Sequence, residues 1–581
     1  MTTRRSIFLL VSLALIAACI VSVPASSSDQ SPPSFDNDYR SAPLFYESYH
    51  DDMNWVGDEV EQLRRGYVRV DRYDPVDATN FDWSQDSFTD YTWFMQMQDL
   101  RFLLPAIASK STEDVNIART WFMRWYAEYM VPEPAKARWG EPITVGYRAM
   151  VLALLLKTEE HRTHPDADVI SLLKTTIGAH QSYLMGTELY DHLSNHGYLL
   201  GLALYETTRV IPNPAARTQA IERLMAMIGR SVSPAGIEME DAVAYHFVVQ
   251  VWLEQMALYF RGLPKPPQEL STTVSKTFER MRSAGYFLQD HAGRLAPIGD
   301  TDSVMVDAIS PAYRLHDAEG TSNHVFDPAA GYAIFKGASR EGDCRYVIFR
   351  MPDGKSKLTR HLHSDALSVF FSYGGETILG DAGRYAYESS REREYMLSPR
   401  GHSVVLRDPA GSDGTAPRRA YDVAEHVEGK GLAWSASVNL GRDIWERTVR
   451  IPDTSDSFRV DDTLEPPAGT RDAAELTMLW NLGPDVTEAA VSPPADGATF
   501  LWYVSTRAGQ RVRIAIHSAG PGKSGILDAK LVRGQTEPRL GWYSPARHVL
   551  RPATVIVVRL RRDPSVSVTT EIRVEKGACS R

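Results

Sequence analysis

The pattern of apolar and polar positions divides this chain into a half with helical periodicity and a half with strand-like alternation. Between about Phe45 and Ala308, seven segments carry apolar residues at helical spacing, separated by proline, glycine or short polar connectors. The segments share no short repeat, so they predict an array of helical hairpins and not a solenoid of regular units. They are SFTDYTWFMQMQDLRFLLPAIA, VNIARTWFMRWYAEYMV, TVGYRAMVLALLLKTEEH, NHGYLLGLALYETTRVI, ARTQAIERLMAMIGRSV, YHFVVQVWLEQMALYFRGL and VSKTFERMRSAGYFLQDHA.

After Pro311 the chain consists of short alternating runs broken by glycine, proline, aspartate and asparagine. Thirteen of these runs, from GYAIFKGA to TVIVVRLRR, have the length and the β-branched and aromatic content of strands. They predict an antiparallel β-sandwich. The polar segment His316–Phe326 marks the boundary. We therefore expect a multi-domain α+β chain, with a helical domain over residues 40–315 and an antiparallel β-sandwich over residues 325–581.

Residues 1–25 have the pattern of a secretory signal and not of a membrane anchor. Arg4 and Arg5 precede an uncharged apolar run, and small residues follow it. Two processing sites remain open: the run IAAC ending at Cys19 resembles a bacterial lipobox and would carry a lipid anchor, and Val23–Ala25 is an ordinary cleavage site. We expect a signal peptide, no transmembrane span, and a secreted protein that is periplasmic or at the cell surface if it is bacterial.

The charge balance argues against a nucleic-acid partner. Loss of Arg4 and Arg5 with the leader leaves 61 basic and 73 acidic residues, a net charge of −12, whereas polyanion binding normally needs a basic surface. With 581 residues and 43% hydrophobic side chains, the chain suffices for two or three buried cores. Cys344 and Cys579 remain after the leader and could form one disulfide in an oxidising compartment.

The stretch Arg360–Tyr387, RHLHSDALSVFFSYGGETILGDAGRYAY, concentrates groups that bind protons or metals. In a strand, alternate side chains share one face at intervals of about 7 Å, which would place His361, His363 and Asp365 on one wall. The apolar run that follows favours a strand, and the turn GGETILGDAG would return Asp381 to the same neighbourhood. A lone histidine is usually an ordinary surface residue, but this spacing beside two aspartates predicts a functional site.

Two shorter motifs lie in the helical half. Asn195 and His196 stand where a helix is predicted to begin at Gly197, and a plain N-cap is the structural alternative. Tyr245 and His246 follow the acidic residues of GIEMEDAVAYHF, where carboxylates at a helix start are favoured by the helix dipole. Each motif alone is explained by helix capping.

Together these motifs resemble those of the heparinase II/III superfamily of polysaccharide lyases. The resemblance covers nearly all of the mature chain: NHG, then YH about 50 residues later, GDTDS at Gly299–Ser303, HLHSDALS and GDAGRYAY. It implies that the helical domain is an (α/α) toroid, followed by the β-sandwich. It also implies that Asn195 and His196 hold a uronate carboxylate, that Tyr245 transfers protons, and that His361 lies in the active cleft.

The resemblance further implies a structural zinc ion, one per chain. The second histidine of the HxH motif, the aspartate of the DxG turn and a later histidine bind it in the family, and these match His363, Asp381 and His402. The later family motif normally reads HN, whereas this chain has Ser403 after His402. Nitrogen ligands with one carboxylate suit Zn²⁺, with a fourth position for water.

The implied chemistry is β-elimination next to a uronate. Removal of the C5 proton requires the adjacent carboxylate to be neutralised by hydrogen bonds. Tyr245, its pKa of about 10 lowered by nearby cationic groups, would act as acid and possibly as base. His361 is the alternative base, and the choice depends on whether elimination is syn or anti. Arg148, Glu238 and His246 are the expected substrate-binding residues, with a structural salt bridge as the alternative for Arg148.

Charge density suggests which uronate polymer is cleaved. Heparin-degrading relatives tend to place further charged groups one turn after these motifs, but Leu199 and Val249 stand three and four residues after His196 and Tyr245. A net negative protein also repels a heavily sulfated chain. We expect an unsulfated or lightly sulfated substrate such as alginate, glucuronan or a bacterial exopolysaccharide.

The sequence therefore predicts a secreted polysaccharide lyase whose product carries an unsaturated uronate at the new non-reducing end. Three alternatives remain. A uronyl C5-epimerase would use the same carbanion chemistry. An inverting glycosidase would use carboxylates such as Glu238, Glu240, Asp300 or Asp302. A non-catalytic carbohydrate-binding protein would not need Tyr245.

Overall fold

The structure of the full chain is a computed structural model. It describes residues 60–69, 75–79, 91–109, 111–131, 140–186, 196–308, 313–315, 323–338, 342–352, 361–387, 389–407, 418–429, 431–453, 456–470, 472–493, 499–519 and 525–576. The signal peptide with Cys19, the carboxylate-binding Asn195 and the disulfide candidate Cys579 lie outside these ranges and stay predictions.

The chain divides into two compact units. One consists of Met1–Arg230 and Val248–Phe278, the other of Ser231–Phe247 and Glu279–Arg581. The second unit therefore includes the segment that carries Tyr245, although this segment belongs to the helical half of the sequence. The predicted domain limits, 40–315 and 325–581, stay a prediction.

Helices with short connectors form the first unit, as the periodicity predicts. The helix α4 is buried on every side from Ile143 to Leu156 and packs against α5 and α6, as expected of a sequence that is apolar all round. Asp166 caps α5 by accepting hydrogen bonds from two backbone N–H groups. The helices are α1 (Tyr91–Gln98), α2 (Leu104–Ala108), α3 (Thr112–Tyr129), α4 (Pro142–Glu160), α5 (Ala167–Met185), α6 (His196–Val210), α7 (Pro214–Ser231), α8 (Val243–Gly262) and α9 (Gln268–Gly285).

Helices α8 and α9 each contribute residues to both units. A two-stranded antiparallel pair, β1 (Tyr67–Val68) and β2 (Val76–Asp77), also belongs to the first unit. Among the described helices, none is both long enough and apolar enough to cross a membrane.

The second unit contains three main antiparallel sheets. The first is a five-stranded meander of β3 (His324–Asp327), β4 (Tyr332–Lys336), β5 (Arg345–Arg350), β6 (Val369–Tyr373) and β7 (Glu376–Leu379). A short helix, α10 (Arg391–Leu397), then precedes the sandwich strands. These are β8 (Val405–Leu406), β9 (Tyr421–Glu428), β10 (Gly431–Leu440), β11 (Asp443–Ile451), β12 (Ser457–Glu465), β13 (Ala474–Asn481), β14 (Val486–Ser492), β15 (Phe500–Thr506), β16 (Arg511–Ala519), β17 (Ile526–Arg533), β18 (Gln535–Thr536), β19 (Arg539–Leu540), β20 (Trp542–Ala546), β21 (Val549–Pro552), β22 (Thr554–Arg562) and β23 (Val566–Lys576).

Twelve of these strands form an eight-stranded sheet, in the order β14-β15-β16-β23-β12-β11-β10-β9, and a four-stranded sheet, in the order β17-β22-β13-β8. The other four form two separate pairs, β18 with β19 and β20 with β21. Alternation along β11 is nearly complete, with Trp445, Arg447, Val449 and Ile451 buried and the residues between them more exposed. One apolar core includes residues of the five-, eight- and four-stranded sheets. The predicted fold class, a helical toroid followed by an antiparallel β-sandwich, is confirmed.

The prediction that His361, His363 and Asp365 lie on one strand is wrong. Residues 361–368 form turns and irregular backbone, and the strand begins only at Val369. Leu367 has a positive φ of 66°, and the Ser368 N–H donates to the Asp365 carbonyl, so a turn replaces the extended conformation. The predicted return through the second strand is confirmed, because β7 pairs with β6.

The segment before Tyr245 is held by the GDTDS motif. Gly299, at a φ of +60°, lies so close to the Asp241 carbonyl that an added Cβ would stand 2.1 Å from that oxygen. The Thr301 hydroxyl accepts a hydrogen bond of 3.0 Å from the Ala244 N–H, in the first turn of α8. Since these first-turn N–H groups have no partner within the helix, Thr301 serves as a cap from outside it. Tyr245, the next residue, is therefore fixed from two sides.

We expect Gly299→Ala to lower the melting temperature much more than Gly429→Ala. Both glycines have a positive φ, +60° and +65°, so each alanine costs about 1–2 kcal/mol in backbone strain. Only Gly299 has backbone atoms in the space that the new Cβ would occupy, whereas Gly429 has nothing within 4 Å. Thermal unfolding of both variants measures the difference, and equal melting temperatures would contradict the close approach to Asp241.

Candidate active site

His361 lies between two buried carboxylates in the second unit. Its Nδ1 is 2.7 Å from Asp300 Oδ2, and its Nε2 is 3.5 Å from Glu240 Oε2. Burial alone lowers the pKa of an imidazole, but the hydrogen bonds and charges of Asp300 and Glu240 outweigh it and raise the pKa of His361. Both ring nitrogens face acidic groups, so the ring favours its cationic form.

Tyr245 is stacked on His361, with ring centroids 3.9 Å apart and planes inclined by 27°. Its hydroxyl is buried, with Tyr387 as a neighbour. Burial, followed by the nearby Tyr387 and by the charges of Glu240 and Asp300, raises the pKa of Tyr245 well above its ordinary value. The expectation that cationic groups lower this pKa is wrong, because burial first, and then Tyr387 and the nearby carboxylates, disfavour the phenolate. The phenol keeps its proton and is suited to donate it.

Asp300 connects His361 to His363. Its Oδ1 accepts a hydrogen bond of 3.0 Å from His363 Nε2, while Oδ2 accepts one from His361. Arg393 donates to both oxygens, at 2.5 and 3.0 Å. Although burial raises a carboxyl pKa, the two histidines and Arg393 hold the pKa of Asp300 well below its usual range. Asp300 is therefore an ionised carboxylate with four donors.

His363, Asp381 and His402 come together as a group that could hold a metal ion. All three are buried, and one ligand atom of each lies within 4.8 Å of the others. His402 Nδ1 is 2.7 Å from Asp381 Oδ2, and the two imidazole centroids are 5.4 Å apart. Two buried nitrogens, His363 Nδ1 and His402 Nε2, have no hydrogen-bond partner among the described residues. The donor types and these unpartnered nitrogens fit a cation.

Ser403, which replaces the asparagine of the family motif, fixes the backbone beside His402. Its N–H donates to the Ser368 hydroxyl at 3.2 Å, and its own hydroxyl accepts the Asn481 N–H at 3.0 Å. Arg447 donates to the Ser403 carbonyl at 2.7 Å. The serine thus satisfies buried backbone groups, and the substitution leaves His402 in the group.

Arg350 ties the segment before Tyr245 to the HSD part of the histidine motif. Its guanidinium donates to Asp241 at 2.9 Å, to Asp365 at 3.1 Å and to the Gly331 carbonyl at 3.0 Å. It also lies over the ring of Tyr332, 4.2 Å from the centroid. Burial raises the pKa of Asp241 to about 6, although Arg350 acts in the opposite direction. Asp365 therefore belongs to this ion-pair cluster.

Tyr387 and two arginines lie on another side of His361. The ring of Tyr387 meets His361 edge to face at a centroid distance of 6.0 Å. Arg384 and Arg393 each stand 5.3 Å from the Tyr387 centroid. Arg384 is paired with Asp302 through both carboxylate oxygens, and Arg393 with Asp300. The positive charges near the two aromatic rings are therefore balanced by carboxylates.

Two of the predicted substrate-binding residues lie close to Tyr245 in sequence, and both are buried. His246 Nδ1 accepts a hydrogen bond of 3.4 Å from the Glu238 N–H, and His246 Nε2 is 3.1 Å from the Met281 carbonyl. Glu238 accepts the Glu240 N–H at 2.9 Å, and burial, then the charge of Glu240, raises its pKa well above the ordinary value. These contacts hold the turn before α8, and substrate binding by either residue stays a prediction.

The remaining predicted residues lie in the first unit. His196 begins α6 and is buried, and Asn195 is outside the described residues. Arg148 is fully buried on α4, where Nε donates to His180 Nε2 at 3.0 Å and Nη1 donates to the Gln98 carbonyl. Burial lowers the pKa of Arg148 to about 9. This environment accounts for Arg148 by packing and hydrogen bonds, and its contact with substrate stays a prediction.

Of the four carboxylates considered for a glycosidase, Asp300 and Asp302 are held by side chains that donate hydrogen bonds. Asp300 is engaged by Arg393 and two histidines, and Asp302 by Arg384. An inverting hydrolase needs one protonated carboxyl group and one carboxylate free to activate water. Asp300, held ionised, cannot be the acid. These contacts argue against Asp300 and Asp302 as the acid and base pair of an inverting hydrolase.

The helices, the β-sandwich and the buried site of His361 and Tyr245 agree with the fold class that the sequence predicts. Residues 320–575 match the family model described as Heparinase II/III-like, C-terminal. The predicted resemblance is confirmed over these residues, which are similar to the heparinase II/III-like C-terminal family. None of the curated proteins matches the sequence.

Solved structures share the fold over almost the whole chain. Heparan sulfate lyase HepC from Pedobacter heparinus has 13% identity and a TM-score of 0.68, covering 98% of this chain and 88% of that one. A structure of heparinase III has 11% identity and a TM-score of 0.68, with coverages of 98% and 90%. The chondroitin AC lyase of Streptomyces coelicolor A3 has 11% identity and a TM-score of 0.52, with coverages of 97% and 82%.

We expect Arg350→Met to loosen the site and to lower activity. The change leaves Asp241 and Asp365 buried without their cation, which costs about 3–5 kcal/mol. Arg562→Met is a matched control, because Arg562 is equally buried and paired with Asp443 in the sandwich. Both variants should melt at lower temperature, but only Arg350→Met should lower kcat well below what its folded fraction explains. Equal kcat per folded molecule in the two variants would contradict this role.

Proposed function

We propose that this protein is a polysaccharide lyase that cleaves a uronic-acid-containing polysaccharide by β-elimination. The observation that carries the proposal is the stack of Tyr245 on His361, 3.9 Å apart and surrounded by Glu240 and Asp300. The similar structures support it, because they are lyases of heparan sulfate and chondroitin. A glycosaminoglycan or a related uronate polymer is the proposed substrate class.

The first chemical requirement is a more acidic C5 proton. Hydrogen bonds to the uronate carboxylate stabilise the negative charge that develops when this proton leaves. Asn195 and His196 are the residues proposed for this contact, on the strength of their NHG motif. Glu238, His246 and Arg148 are proposed to contribute to binding, the first two by shaping the turn that precedes Tyr245.

Tyr245 is proposed as the acid that protonates the leaving oxygen. Its raised pKa keeps the phenol protonated before the reaction, so the proton is available at the moment of bond cleavage. His361 is the alternative base, and both of its ring nitrogens lie against carboxylates. To accept the C5 proton, His361 must be neutral and one of these contacts must open. Otherwise Tyr245 must lose its own proton first and act as both base and acid.

His363, Asp381 and His402 are proposed to hold one zinc ion with a structural role. Zinc bound there would supply a fixed positive charge and a rigid cross-link between backbone segments. The chain places His363 two residues from His361, so fixing one imidazole limits the positions of the other. Proton transfer remains with Tyr245 and His361.

Export is also part of the proposal. It rests on the leader pattern of residues 1–25, with a lipid anchor at Cys19 as one of two processing outcomes. Cys344 is disulfide-bonded, and structural disulfides are typical of oxidising compartments. A secreted enzyme, periplasmic or surface-held in a bacterium, would meet extracellular polysaccharides.

The reaction class is tested on a panel of uronate polymers, with heparan sulfate and chondroitin sulfate each paired with its desulfated form, and with alginate and glucuronan. We expect products that absorb ultraviolet light and have the summed mass of the intact substrate, because β-elimination adds no water. We also expect faster turnover of the desulfated forms, because Arg350, Arg384 and Arg393 already have carboxylate partners. Products that gain water would establish hydrolysis, and uncleaved polymer with inverted C5 would establish an epimerase.

Tyr245→Phe should lower kcat by about 10²- to 10⁴-fold, because the proton-transfer hydroxyl is removed. The melting temperature should change little, because phenylalanine keeps the ring that stacks on His361. Tyr346→Phe is the control, and it should lose stability and keep activity. The Tyr346 hydroxyl donates to the Phe287 carbonyl at 2.7 Å, so its loss should cost about 1 kcal/mol of stability and little activity. Calorimetry and steady-state kinetics on both variants separate the roles. Near-normal turnover in Tyr245→Phe would exclude it as the acid.

The metal proposal predicts about one zinc per purified chain by elemental analysis. His363→Ala should lose most of it and melt at lower temperature, because a ligand that binds only the folded state stabilises that state. His426→Ala changes an exposed histidine on β9 and should keep both zinc and stability. A chain that is equally stable and active without metal would contradict the site, and a folded metal-free protein with no turnover would show that the metal is catalytic.

A further inference from the structure

Asp300 contacts two residues of the predicted site, His361 and His363. The sequence offers Asp300 as a glycosidase carboxylate, and the structure gives it a different environment. Its side chain is fully buried and engages His361 through one oxygen and His363 through the other. His361 stacks on Tyr245, and His363 belongs to the metal-binding group. One carboxylate therefore touches both the proton-transfer residues and the metal ligands.

We propose that Asp300 is a positioning residue that couples the metal-binding group to His361. This inference rests on the proposed function for its catalytic part only. The geometry behind it is specific: hydrogen bonds of 2.7 Å to His361 Nδ1 and 3.0 Å to His363 Nε2 orient both rings. With Nε2–H of His363 donating to Asp300, the Nδ1 lone pair is left for the metal. With Nδ1–H of His361 donating to Asp300, Nε2 faces Glu240.

Arg393 fixes Asp300 in turn. Its two terminal nitrogens donate to both carboxylate oxygens, and one of them also donates to the Arg384 carbonyl at 3.1 Å. Arg393 lies on the short helix α10, whose first turn is capped by the Ser390 hydroxyl accepting the Arg393 N–H. The carboxylate is thereby held by a two-point contact. This contact restricts the rotation of the carboxylate and also balances its negative charge.

A carboxylate that accepts a hydrogen bond from a metal-ligating imidazole fixes its tautomer and increases its basicity, and removing such a partner typically costs 10- to 100-fold in metal affinity or activity. Asp300 does more than orient His363, because its second oxygen also orients His361. Movement of His363 on metal loss is therefore transmitted to His361 through one rigid group of atoms. Metal affinity and turnover should fall together when Asp300 is changed.

The test is Asp300→Asn in the full chain, compared with Asp443→Asn. An asparagine has one acceptor oxygen and a donor amide, so it cannot accept from both histidines and both Arg393 nitrogens. Asp443 is an equally buried aspartate that pairs with Arg562 in the sandwich and touches neither histidine. Zinc dissociation constants come from competition with a chelator, without substrate. Kinetics on the best polymer then give kcat and KM separately.

For Asp300→Asn we expect a zinc dissociation constant raised by about 10- to 100-fold and kcat lowered by a similar factor with KM little changed. Asp443→Asn should change neither. Wild-type zinc affinity in Asp300→Asn would overturn the proposal, and so would weakened zinc binding with an unchanged kcat. Because zinc affinity is measured without turnover, a wild-type protein inactive on every polymer would refute the proposed function and leave the metal half of the proposal to be decided.

If Asp300→Asn does not fold, Arg393→Lys provides the second variant. Lysine keeps the positive charge beside Asp300 but replaces the two-point contact by a single ammonium. Zinc affinity and kcat should then both fall, by smaller factors than with the asparagine. Wild-type values of both in folded Arg393→Lys would overturn the proposed coupling.

Discussion

The burial of the Asp300 carboxylate constrains the rest of the site. An ionised carboxylate away from water is tolerated only when donors surround it, and here the donors are His361, His363 and Arg393. Satisfying this one charge therefore fixes two imidazole rings and a guanidinium at once. Tyr245 stacks on one of these rings, and the metal-binding group includes the other. The site is arranged around a buried negative charge.

A second buried charge cluster joins the helical and sheet-forming segments of the same unit. Arg350, on β5, binds Asp241 before α8 and Asp365 in the histidine motif. Gly299 brings the GDTDS backbone against the Asp241 carbonyl, and the next residue is Asp300. The two clusters are therefore linked through the backbone of Gly299 and Asp300. A shift of the segment before Tyr245 would disturb both clusters.

Sequence periodicity predicts the regular elements because burial alternates with the backbone geometry, as along β11. It fails at HLHSDALS, whose alternation resembles a strand, because Leu367 has a positive φ and Ser368 closes a turn onto Asp365. The role of Asp300 was not visible either. Its partner Arg393 lies 93 residues further along the chain, and no local pattern connects the GDTDS turn to a helix that distant. The spacing of the histidines and aspartates alone predicts a functional site, whereas the grouping of His363 and Asp381 with His402 follows only from the resemblance of the motifs.

The raised pKa of Tyr245 follows from the same charge balance. The nearby guanidinium groups of Arg384 and Arg393 are each neutralised by an aspartate, and the cationic tendency of His361 is offset by Glu240 and Asp300. Tyr245 therefore experiences burial and negative charge more than positive charge, and its phenolate is disfavoured. Such surroundings suit a group that donates a proton late in the reaction. They oppose a tyrosine that begins as the base, unless substrate binding first changes the charge around it.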